Sequence, residues 1–337
     1  MANEKRTVCI GVIGVGDFGI HHVETLASLH GVQLFGICDT NKNRLQKVAS
    51  KFQVDYAYEN AEELLQHDEL DAVIIATDEK THEPLTRLAV RYGKHVLLEK
   101  PVATDLQVAK GLLQLVEESE PIIMPGHMLR FDSGYYRIKE TLRGKEVRSI
   151  RVKRNVPIER FALHSRTHPV FMSLIHDIDQ IVWNIDHEPK RLYAMERKFD
   201  DTYDVPGIFF GLIEFSNGTL CSLETEWCLP NEYGQYLDVE FEAMFEKTGH
   251  ISYRYPGETM RLIDSGKLLQ PDIHLSPNVH GNVTGSLKNE LEYFVKRITN
   301  ETTDDVVTMK DAVRGVAICE ALIRSAKEQK EIIWEEL

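Results

Sequence analysis

A lysine at the end of a short apolar stretch is the first candidate for chemistry in this chain. The stretch His95–Pro101 reads HVLLEKP, in which Val96–Leu98 predict a buried parallel strand and Lys100 follows just past its end. Because ligands of open α/β sheets bind beyond the carboxyl ends of the strands, Lys100 would lie at the mouth of a pocket. There its amine could exchange a proton with a substrate. The alternative is a solvated loop lysine, and these residues by themselves leave both interpretations open.

Polar side chains also recur on one face of a helix that the sequence predicts over residues 170–185. His176, Asp179 and Trp183 follow one another at steps of three and four residues, beside an apolar stripe at helical spacing. A histidine next to a carboxylate is suited to bind a hydroxyl group or to relay a proton near neutral pH. A lone histidine on a helix is more often structural, so the pairing with Asp179 is what favours a functional role.

A glycine-rich loop precedes both groups in the chain. Gly14-Val15-Gly16-Asp17-Phe18-Gly19 follows an apolar strand, Val8–Ile13, and opens a predicted helix that ends near His30. In such a G-x-G-x-x-G loop the first glycine permits a tight turn, the second lets a diphosphate approach the backbone, and the third lets helix and strand pack closely. The phosphates would lie on amides at the helix N-terminus. The strand–loop–helix context indicates dinucleotide binding.

An acidic residue at the end of the second predicted strand bears on the choice of dinucleotide. Asp39 lies 20 residues beyond Gly19 and follows the strand Val32–Cys38. A carboxylate there accepts hydrogen bonds from ribose hydroxyls and repels a 2′-phosphate, which favours NAD over NADP. Asp39 could also be the N-cap of the following helix, and Arg44 keeps NADP as the less favoured alternative.

The elements that carry these residues predict two domains. Strands and helices alternate as far as residue 125, which predicts a Rossmann domain over residues 1–125 with a doubly wound parallel sheet. Extended segments then dominate residues 126–337 and predict an α+β domain with a large, mostly antiparallel sheet and two closing helices near residues 287–298 and 309–327. Asn217-Gly218 indicates a two-residue type I′ hairpin turn within it. If the other face of this sheet is apolar, we expect subunits to pair there, as a homodimer or homotetramer.

The composition excludes some partners. Lys and Arg total 39 against 53 Asp and Glu, a net charge of -14, which argues against binding nucleic acid or an anionic membrane surface. No apolar run approaches the length of a membrane span, and the polar start of the sequence does not resemble a signal peptide. The five cysteines form no C-x-x-C pair, so we expect reduced thiols in a cytoplasmic protein without a bound metal.

Three pieces of the chain together resemble the glucose–fructose oxidoreductase/inositol dehydrogenase family (Gfo/Idh/MocA). They are the loop Gly14–Gly19, the element Glu99-Lys100-Pro101 and the segment His176-Asp177-Ile178-Asp179. The resemblance extends over nearly the whole chain, and Glu-Lys-Pro is its specific part. It implies NAD(P)-dependent oxidation or reduction of a secondary alcohol in a sugar, a sugar derivative or a cyclitol.

The resemblance also implies roles for individual residues. Lys100 would lie beside the reacting hydroxyl, and His176 and Asp179 would lie across the substrate. We assign proton transfer to Lys100, substrate binding or proton relay to His176, and the orientation of a hydroxyl or of His176 to Asp179. The expected cofactor contacts are Gly14, Gly16, Asp17, Phe18, Gly19, Asp39, Thr77, His82, Glu99 and Lys100.

Two positions depart from the family pattern. The family often has Thr-Pro after the fourth strand, where this chain has Thr77-Asp78, with His82 retained in the next helix. Inositol dehydrogenases of the family usually place a histidine four residues after the helix aspartate, where this chain has Trp183. The second departure weakens a myo-inositol interpretation and leaves the base to Lys100, to His176 or to both.

Basic side chains after the domain junction are further substrate candidates. Arg130 follows the last Rossmann strand, and Arg154, Arg160 and His164 precede the His176 helix. Two arginines facing a pocket would indicate a carboxylate or phosphate on the substrate. The alternative for each is a salt bridge at the surface or between domains.

Two other functions remain open on the sequence. One is a non-catalytic dinucleotide-binding sensor or scaffold, which would need only the glycine loop and Asp39. The other is an NAD(P)-dependent reductase of a different carbonyl or of a pyrrole-type substrate. The presence of Lys100, His176 and Asp179 together argues against the first, and their polarity favours a polyol over a flat apolar ligand.

Overall fold

The computed structural model describes residues 6–164, 166–198, 202–230, 237–255, 262–264, 267–269, 274–280 and 282–334. The chain divides into two compact units. The first comprises Met1–Asp132 and Ile273–Val313, and the second comprises Ser133–Asp272 and Arg314–Leu337. The sequence predicts one division at residue 125, whereas the first unit also includes a segment from the C-terminal half.

The first unit contains a six-stranded sheet in which each strand runs parallel to its neighbours. The strands are β1 (Val8–Ile13), β2 (Val32–Cys38), β3 (Tyr56–Tyr58), β4 (Ala72–Ile75), β5 (His95–Glu99) and β6 (Ile123–Gly126). Their spatial order, β3-β2-β1-β4-β5-β6, changes direction between β1 and β4. This is the doubly wound order of a Rossmann fold, and it confirms the prediction.

Five helices follow the first five strands of this sheet. They are α1 (Gly19–Leu26), α2 (Lys42–Phe52), α3 (Ala61–Leu65), α4 (His82–Arg91) and α5 (Leu106–Glu118). Strands covered on both faces read as continuous apolar runs, and every residue of β4 is buried. Helix α1 is shorter than predicted, because it ends at Leu26 and not near His30.

The second unit contains a seven-stranded sheet with the order β12-β11-β7-β10-β9-β8-β17. Its strands are β7 (Val147–Asn155), β8 (Pro189–Arg197), β9 (Ile208–Phe215), β10 (Leu220–Glu226), β11 (Asp238–Phe245), β12 (Gly249–Tyr255) and β17 (Ile332–Ile333). All its neighbouring strands are antiparallel except β7 and β10. The predicted, mostly antiparallel sheet is confirmed.

Shorter elements complete the described parts of the chain. Two small hairpins pair β13 (Leu262–Asp264) with β14 (Lys267–Leu269), and β15 (Asn278–Val279) with β16 (Asn282–Val283). The sequence also predicts a strand over residues 259–263, which lies partly outside the described residues. The remaining helices are α6 (Ser133–Leu142), α7 (Ile158–His164), α8 (Ile175–Asn184), α9 (Ser286–Ile298) and α10 (Met309–Glu328), and a π-helical turn, Val170–Leu174, precedes α8.

The two faces of the antiparallel sheet differ in what covers them. One face packs on α10, where the Ala194 amide donates to Ser325 Oγ and Gly211 leaves room for Leu322. The opposite face, which we call the open sheet face, carries exposed apolar side chains. They are Tyr193, Met195, Phe210, Leu212 and Leu220, and Met195, Leu212 and Leu220 are each more than half exposed.

The hairpin between β9 and β10 forms where the sequence predicts it but with a different turn. A type I′ turn needs a positive φ at both central residues, and here φ is positive at Gly218 (86°) but not at Asn217. The Phe215 amide donates to the Thr219 carbonyl and the Gly218 amide donates to the Phe215 carbonyl, which encloses three residues. The prediction of a two-residue turn was therefore wrong, because only glycine adopts the left-handed conformation here.

Helix α9 packs with the first unit. Leu291 and Phe294 are fully buried in the same core as Val12, Val23 and Leu97 of the Rossmann sheet and its first helix. The order of the chain predicts that this helix packs on the antiparallel sheet, which it follows. An apolar helix stripe indicates burial but does not name the partner, so chain order was the wrong guide here.

Candidate active site

The glycine loop connects β1 to α1, and its three glycines differ in what surrounds them. Gly14 has a φ of 88°, and a Cβ atom on Gly19 would lie 1.9 Å from the Gly14 carbonyl oxygen, so the fold itself requires both glycines. A Cβ on Gly16 would meet only Arg44 Nη1, at 3.6 Å. No side chain caps the N-terminus of α1, and Asp17 and Phe18 are exposed. Gly16 therefore leaves space outside the protein backbone, which fits a diphosphate approaching the amides at this helix end.

Asp39 connects the end of β2 to the glycine loop. Its Oδ2 accepts from the Val15 amide at 3.0 Å and from Arg44 Nη1 at 3.3 Å, and its Oδ1 accepts from the Asn41 amide at 2.8 Å. The N-cap of α2 is Asn41, whose side chain accepts from the Arg44 amide. The capping alternative for Asp39 is thus wrong, while its place beside the loop fits a carboxylate that meets the adenosine ribose.

The loop after β4 is joined to the loop after β5 by a histidine. His82 is buried, its Nδ1 lies 2.9 Å from the Pro101 carbonyl oxygen, and its Nε2 lies 3.1 Å from the Thr77 carbonyl oxygen. Burial lowers the pKa of His82, and the two carbonyls oppose that shift. Both ring nitrogens are thus directed at backbone groups of the protein. Contact of Thr77 and His82 with the cofactor stays a prediction, and the structure adds that His82 positions two loops.

Lys100 lies at the carboxyl end of β5, half-buried, and its peptide bond to Pro101 is cis. The Lys100 amide donates to Glu99 Oε2 at 3.1 Å, and Glu99 Oε1 lies 2.7 Å from His22 Nε2. Both the Glu99 and the His22 side chains are buried. The backbone that carries the candidate lysine is therefore fixed by a side chain of its own motif.

Sequence reasoning missed His22. It lies three residues after Gly19, on the face of α1 that also buries Val23 and Leu26. A histidine at a core-facing helical position needs a polar partner, and that signal is present in the sequence. The identity of the partner is not present there, because Glu99 lies 77 residues away along the chain.

The first unit brings the predicted cofactor residues to one edge of its sheet. The glycine loop, Asp39, Thr77 and Lys100 follow the carboxyl ends of β1, β2, β4 and β5. Because these strands are parallel, the four chain segments lie at the same edge, where doubly wound sheets bind ligands.

Helix α8 of the second unit carries the other predicted residues. Asp179 is 2% exposed and accepts from Gln180 Nε2 at 3.4 Å, while His176 and Trp183 are half-buried. A π-helical turn, Val170–Leu174, directly precedes α8, and His176 is the second residue of α8. Lys100 belongs to the first unit and His176 to the second, so their action on one substrate stays a prediction.

Two of the arginine candidates are engaged in buried salt bridges. Arg154 Nε and Nη2 donate to the two carboxylate oxygens of Asp177 at 2.6 and 3.0 Å, and Asp177 is fully buried. Burial raises the pKa of Asp177, and the Arg154 guanidinium opposes this shift. Arg130, whose side chain is 1% exposed, donates to Asp311 at 2.9 Å. Each arginine thus forms a salt bridge, as the alternative has it, but within one unit and with a buried guanidinium, not at the surface or between domains.

The other two substrate candidates are less constrained. Arg160 is half-buried on α7, and its role in binding substrate stays a prediction. The side chain of His164 lies outside the described part of the chain.

The described residues give little support to chemistry based on a cysteine nucleophile or on a metal ion. All five cysteines are free thiols, and burial raises the pKa of Cys38 to about 12, which makes that thiol a poor nucleophile. Among the described residues no group of three or more His, Cys, Asp or Glu side chains is arranged to hold a metal ion. In the same part of the chain, no helix has both the length and the apolar character required to cross a bilayer.

Comparison with known families identifies the class of protein. The family model described as "Oxidoreductase family, NAD-binding Rossmann fold" matches residues 8–127, and that of the "GFO/IDH/MocA C-terminal domain" matches residues 153–249. The chain belongs to the Gfo/Idh/MocA oxidoreductase family. This confirms the resemblance carried by the glycine loop, Glu99-Lys100-Pro101 and the His176 segment.

Individual relatives point to cyclitol dehydrogenases. The chain is 32% identical over 202 residues to an inositol 2-dehydrogenase/D-chiro-inositol 3-dehydrogenase of Shouchella clausii, an alignment that covers 57% of each protein. It is 30% identical over 339 residues to inositol 2-dehydrogenase 2 of Saccharopolyspora erythraea, covering 95% of this chain and 93% of that protein. The match to the myo-inositol 2-dehydrogenase of Thermotoga maritima likewise spans 57% of that relative.

Solved structures share the whole fold at low sequence identity. The scyllo-inositol dehydrogenase of Lactobacillus casei with bound NAD(H) and scyllo-inositol has a TM-score of 0.83 at 21% identity, covering 97% of this chain and 99% of that one. GenD2 from gentamicin A biosynthesis, in complex with NAD, has a TM-score of 0.84 at 20% identity, covering 98% and 97%. These similarities show the fold.

Proposed function

We propose that the chain is an NAD-dependent dehydrogenase that acts on a secondary alcohol of a sugar, a sugar derivative or a cyclitol, or on the corresponding ketone. The observation that carries the proposal is Lys100 at the carboxyl end of β5, with its backbone fixed by Glu99 at the sheet edge that also carries the dinucleotide loop. Membership of an NAD-binding oxidoreductase family and the inositol dehydrogenases among the relatives support it.

The described residues fit NAD. The amides at the start of α1 would hold the diphosphate over Gly16, and Asp39 would accept from the ribose hydroxyls. Thr77, on the loop after β4, is the proposed neighbour of the nicotinamide side. When bound, NAD supplies the ring that accepts hydride from the alcohol carbon.

The protein must remove the hydroxyl proton as the alcohol is oxidised. In this proposal the half-buried Lys100 takes that proton on Nζ, which requires its amine to be neutral when the alcohol is bound. His176 binds a substrate hydroxyl or relays the proton, and Asp179 orients a hydroxyl or His176. Trp183 stands where inositol dehydrogenases of the family usually have a histidine, so we place other polyols ahead of myo-inositol.

We also propose that the chain self-associates through the open sheet face, as a homodimer or homotetramer. Contiguous exposed apolar side chains are uncommon on monomers, and here Met195 and Phe210 pair across neighbouring strands beside Leu212. Leu212→Glu is expected to lower the mass measured by sedimentation, and an unchanged mass would contradict this interface. The free thiols, of which Cys38, Cys221 and Cys319 are buried, fit a reducing, cytoplasmic location.

The first test is a set of absorbance assays with NAD and NADP across sugars, sugar acids and cyclitols. Lys100→Ala is expected to lower kcat by about 10²–10⁴-fold, the usual contribution of a positioned acid–base residue, while NADH binding persists. Lys47→Ala, at an exposed lysine of α2, is the matched control. Turnover that survives in Lys100→Ala would contradict the role of Lys100.

Two other outcomes would point to the alternative functions. Tight NADH binding without turnover of any polyol would favour a dinucleotide sensor or scaffold. Turnover confined to a carbonyl or pyrrole-type substrate would favour the other reductase. Stronger binding of NADPH than of NADH would contradict the proposed role of Asp39 in binding the ribose hydroxyls and excluding a 2′-phosphate.

A further inference from the structure

The carboxylate of Glu99 is held between two partners inside the first unit. One oxygen lies 2.7 Å from His22 Nε2, and the other accepts from the Lys100 amide at 3.1 Å. The His22 side chain is 0% exposed and that of Glu99 is 8% exposed. A buried carboxylate must be hydrogen-bonded, so this pair of contacts restricts Glu99 to one arrangement.

The neighbouring strand leaves space for this arrangement. Gly126 of β6 pairs with Glu99 of β5, and a Cβ on Gly126 would lie 3.2 Å from Glu99 Cα and 3.4 Å from Glu99 Cδ. A side chain at residue 126 would therefore press on Glu99. The same Cβ would lie 3.2 Å from the Leu98 carbonyl oxygen, so a side chain here would also press on the backbone of β5.

His22 connects this carboxylate to the dinucleotide loop. It belongs to α1, which begins at the third glycine of the loop, and its ring makes an edge contact with Phe18 at a centroid distance of 5.3 Å. Phe18 is the N-cap residue of α1 and is 36% exposed. Contacts thus run from Phe18 through His22 and Glu99 to the backbone amide of Lys100.

We propose that the buried His22–Glu99 pair is a positioning element, which fixes the Lys100 backbone to the helix of the glycine loop and so couples dinucleotide binding to the placement of Lys100. The inference rests on the proposed function in taking Lys100 as the proton-transfer residue. Without His22 the Glu99 carboxylate would be buried without its main partner, and it would rotate or admit water. Either change releases the Lys100 amide.

Amide hydrogen exchange tests this coupling without any turnover. Because the Lys100 amide donates to Glu99, its exchange rate reports whether the carboxylate is in place. NAD is expected to slow exchange at that amide in the native protein. His22→Leu is expected to speed the exchange by roughly tenfold or more and to abolish the effect of NAD. His22→Gln, whose amide nitrogen reaches the position of Nε2, should restore both.

The chain supplies a matched control next to the tested residue. His21 is half-exposed on the same turn of α1, so His21→Gln should leave exchange at Lys100 as in the native protein. Gly126→Ala is a second variant that disturbs Glu99, since its methyl group would press on Glu99 Cα and on the Leu98 carbonyl oxygen, and it leaves His22 intact if His22→Leu fails to fold. Exchange at Lys100 that is unchanged in both His22→Leu and Gly126→Ala would overturn the proposal.

Kinetics distinguish positioning from a purely structural role. Per NADH-binding site, His22→Leu is expected to lower kcat about 10²-fold with little change in substrate KM, because a small misplacement of a reacting group has that effect. A purely structural role would lower the melting temperature and the number of sites but leave kcat per site unchanged. If the native protein turned over no substrate, the proposed function would fail, and the exchange result alone would still decide the coupling.

Discussion

The loops at the carboxyl ends of the parallel strands and the β7–α8 region of the second unit hold their buried polar residues in different ways. At the loops the side chains of Asp39, Glu99 and His82 contact backbone amides and carbonyls, and Glu99 adds a side-chain partner from α1. Between β7 and α8 the contact joins two side chains, the bidentate pair of Arg154 and Asp177.

The difference explains which parts of the site a sequence can reveal. Nearly every residue has a backbone amide and every residue has a carbonyl. A motif that fixes the chain path at a strand end therefore also fixes the backbone groups to which a buried side chain can hydrogen-bond. A side-chain partner depends on a residue elsewhere in the chain, and Arg154 and Asp177 are 23 residues apart. We therefore expect substitutions in these loops to act through loop geometry, and those in the Arg154–Asp177 pair to act through unbalanced buried charge.

The largest effect is expected at the third glycine of the loop. Gly19→Ala would place a methyl carbon 1.9 Å from the Gly14 carbonyl oxygen, so we expect loss of the folded first unit in circular dichroism and thermal melts. Gly16→Ala, with only Arg44 at 3.6 Å, should fold normally and lose NADH affinity. If the two variants behaved alike, the distinction between a fold glycine and a ligand glycine would be wrong.

The next effect concerns the buried pair of the second unit. Asp177→Asn removes the charged carboxylate that two nitrogens of the buried Arg154 guanidinium contact, and we expect it to cost about 3–5 kcal/mol in urea unfolding. Asp186→Asn, at an exposed position just after α8, is the control. The double variant Arg154→Met with Asp177→Leu should be more stable than Asp177→Asn alone, and a larger loss in the double variant would show that the charges themselves are required.

A smaller effect is expected where a side chain caps a helix next to Asp39. Asn41→Ala removes the acceptor for the Arg44 amide and should cost about 1 kcal/mol of unfolding free energy. Asn60→Ala removes the equivalent bond at the five-residue helix α3 and provides the comparison. A cost at Asn41 well below that at Asn60 would contradict the view that the cap supports the Asp39 turn.

The smallest effect is a pH dependence in the first unit. Burial lowers the pKa of His95, whose Nδ1 accepts from the Ile122 amide and must stay unprotonated to do so. The unfolded chain binds this proton more readily than the folded one. The contribution of His95 to the free energy of unfolding should therefore be fully present above pH 6.5, the ordinary pKa of a histidine, and should decrease as the pH falls below that value. His95→Asn retains an acceptor and should reduce this pH dependence, whereas His30→Asn, at an exposed site, should not.

Particular elements show how far sequence reasoning extended. The alternation of strands and helices predicted the Rossmann sheet, because a two-sided buried strand leaves a continuous apolar run. The same reasoning predicted the wrong turn type at Asn217-Gly218 and the wrong packing partner for α9. Local residue spacing determines neither the backbone φ of a turn residue nor the element against which an apolar stripe packs. Sequence reasoning also offered Asp39 as a cap, a role that Asn41 has.

The sequence by itself determined the class of fold, the dinucleotide loop and the placement of Lys100 at a strand end, because each follows from a local pattern and from the chain path it dictates. Only the tertiary structure decided which distant side chains form hydrogen bonds and salt bridges with the buried polar residues near them. It paired His22 with Glu99, which are 77 residues apart, and engaged Arg130 with Asp311. The physical reason is that a buried polar group must find a partner, and the folded arrangement of the chain supplies that partner.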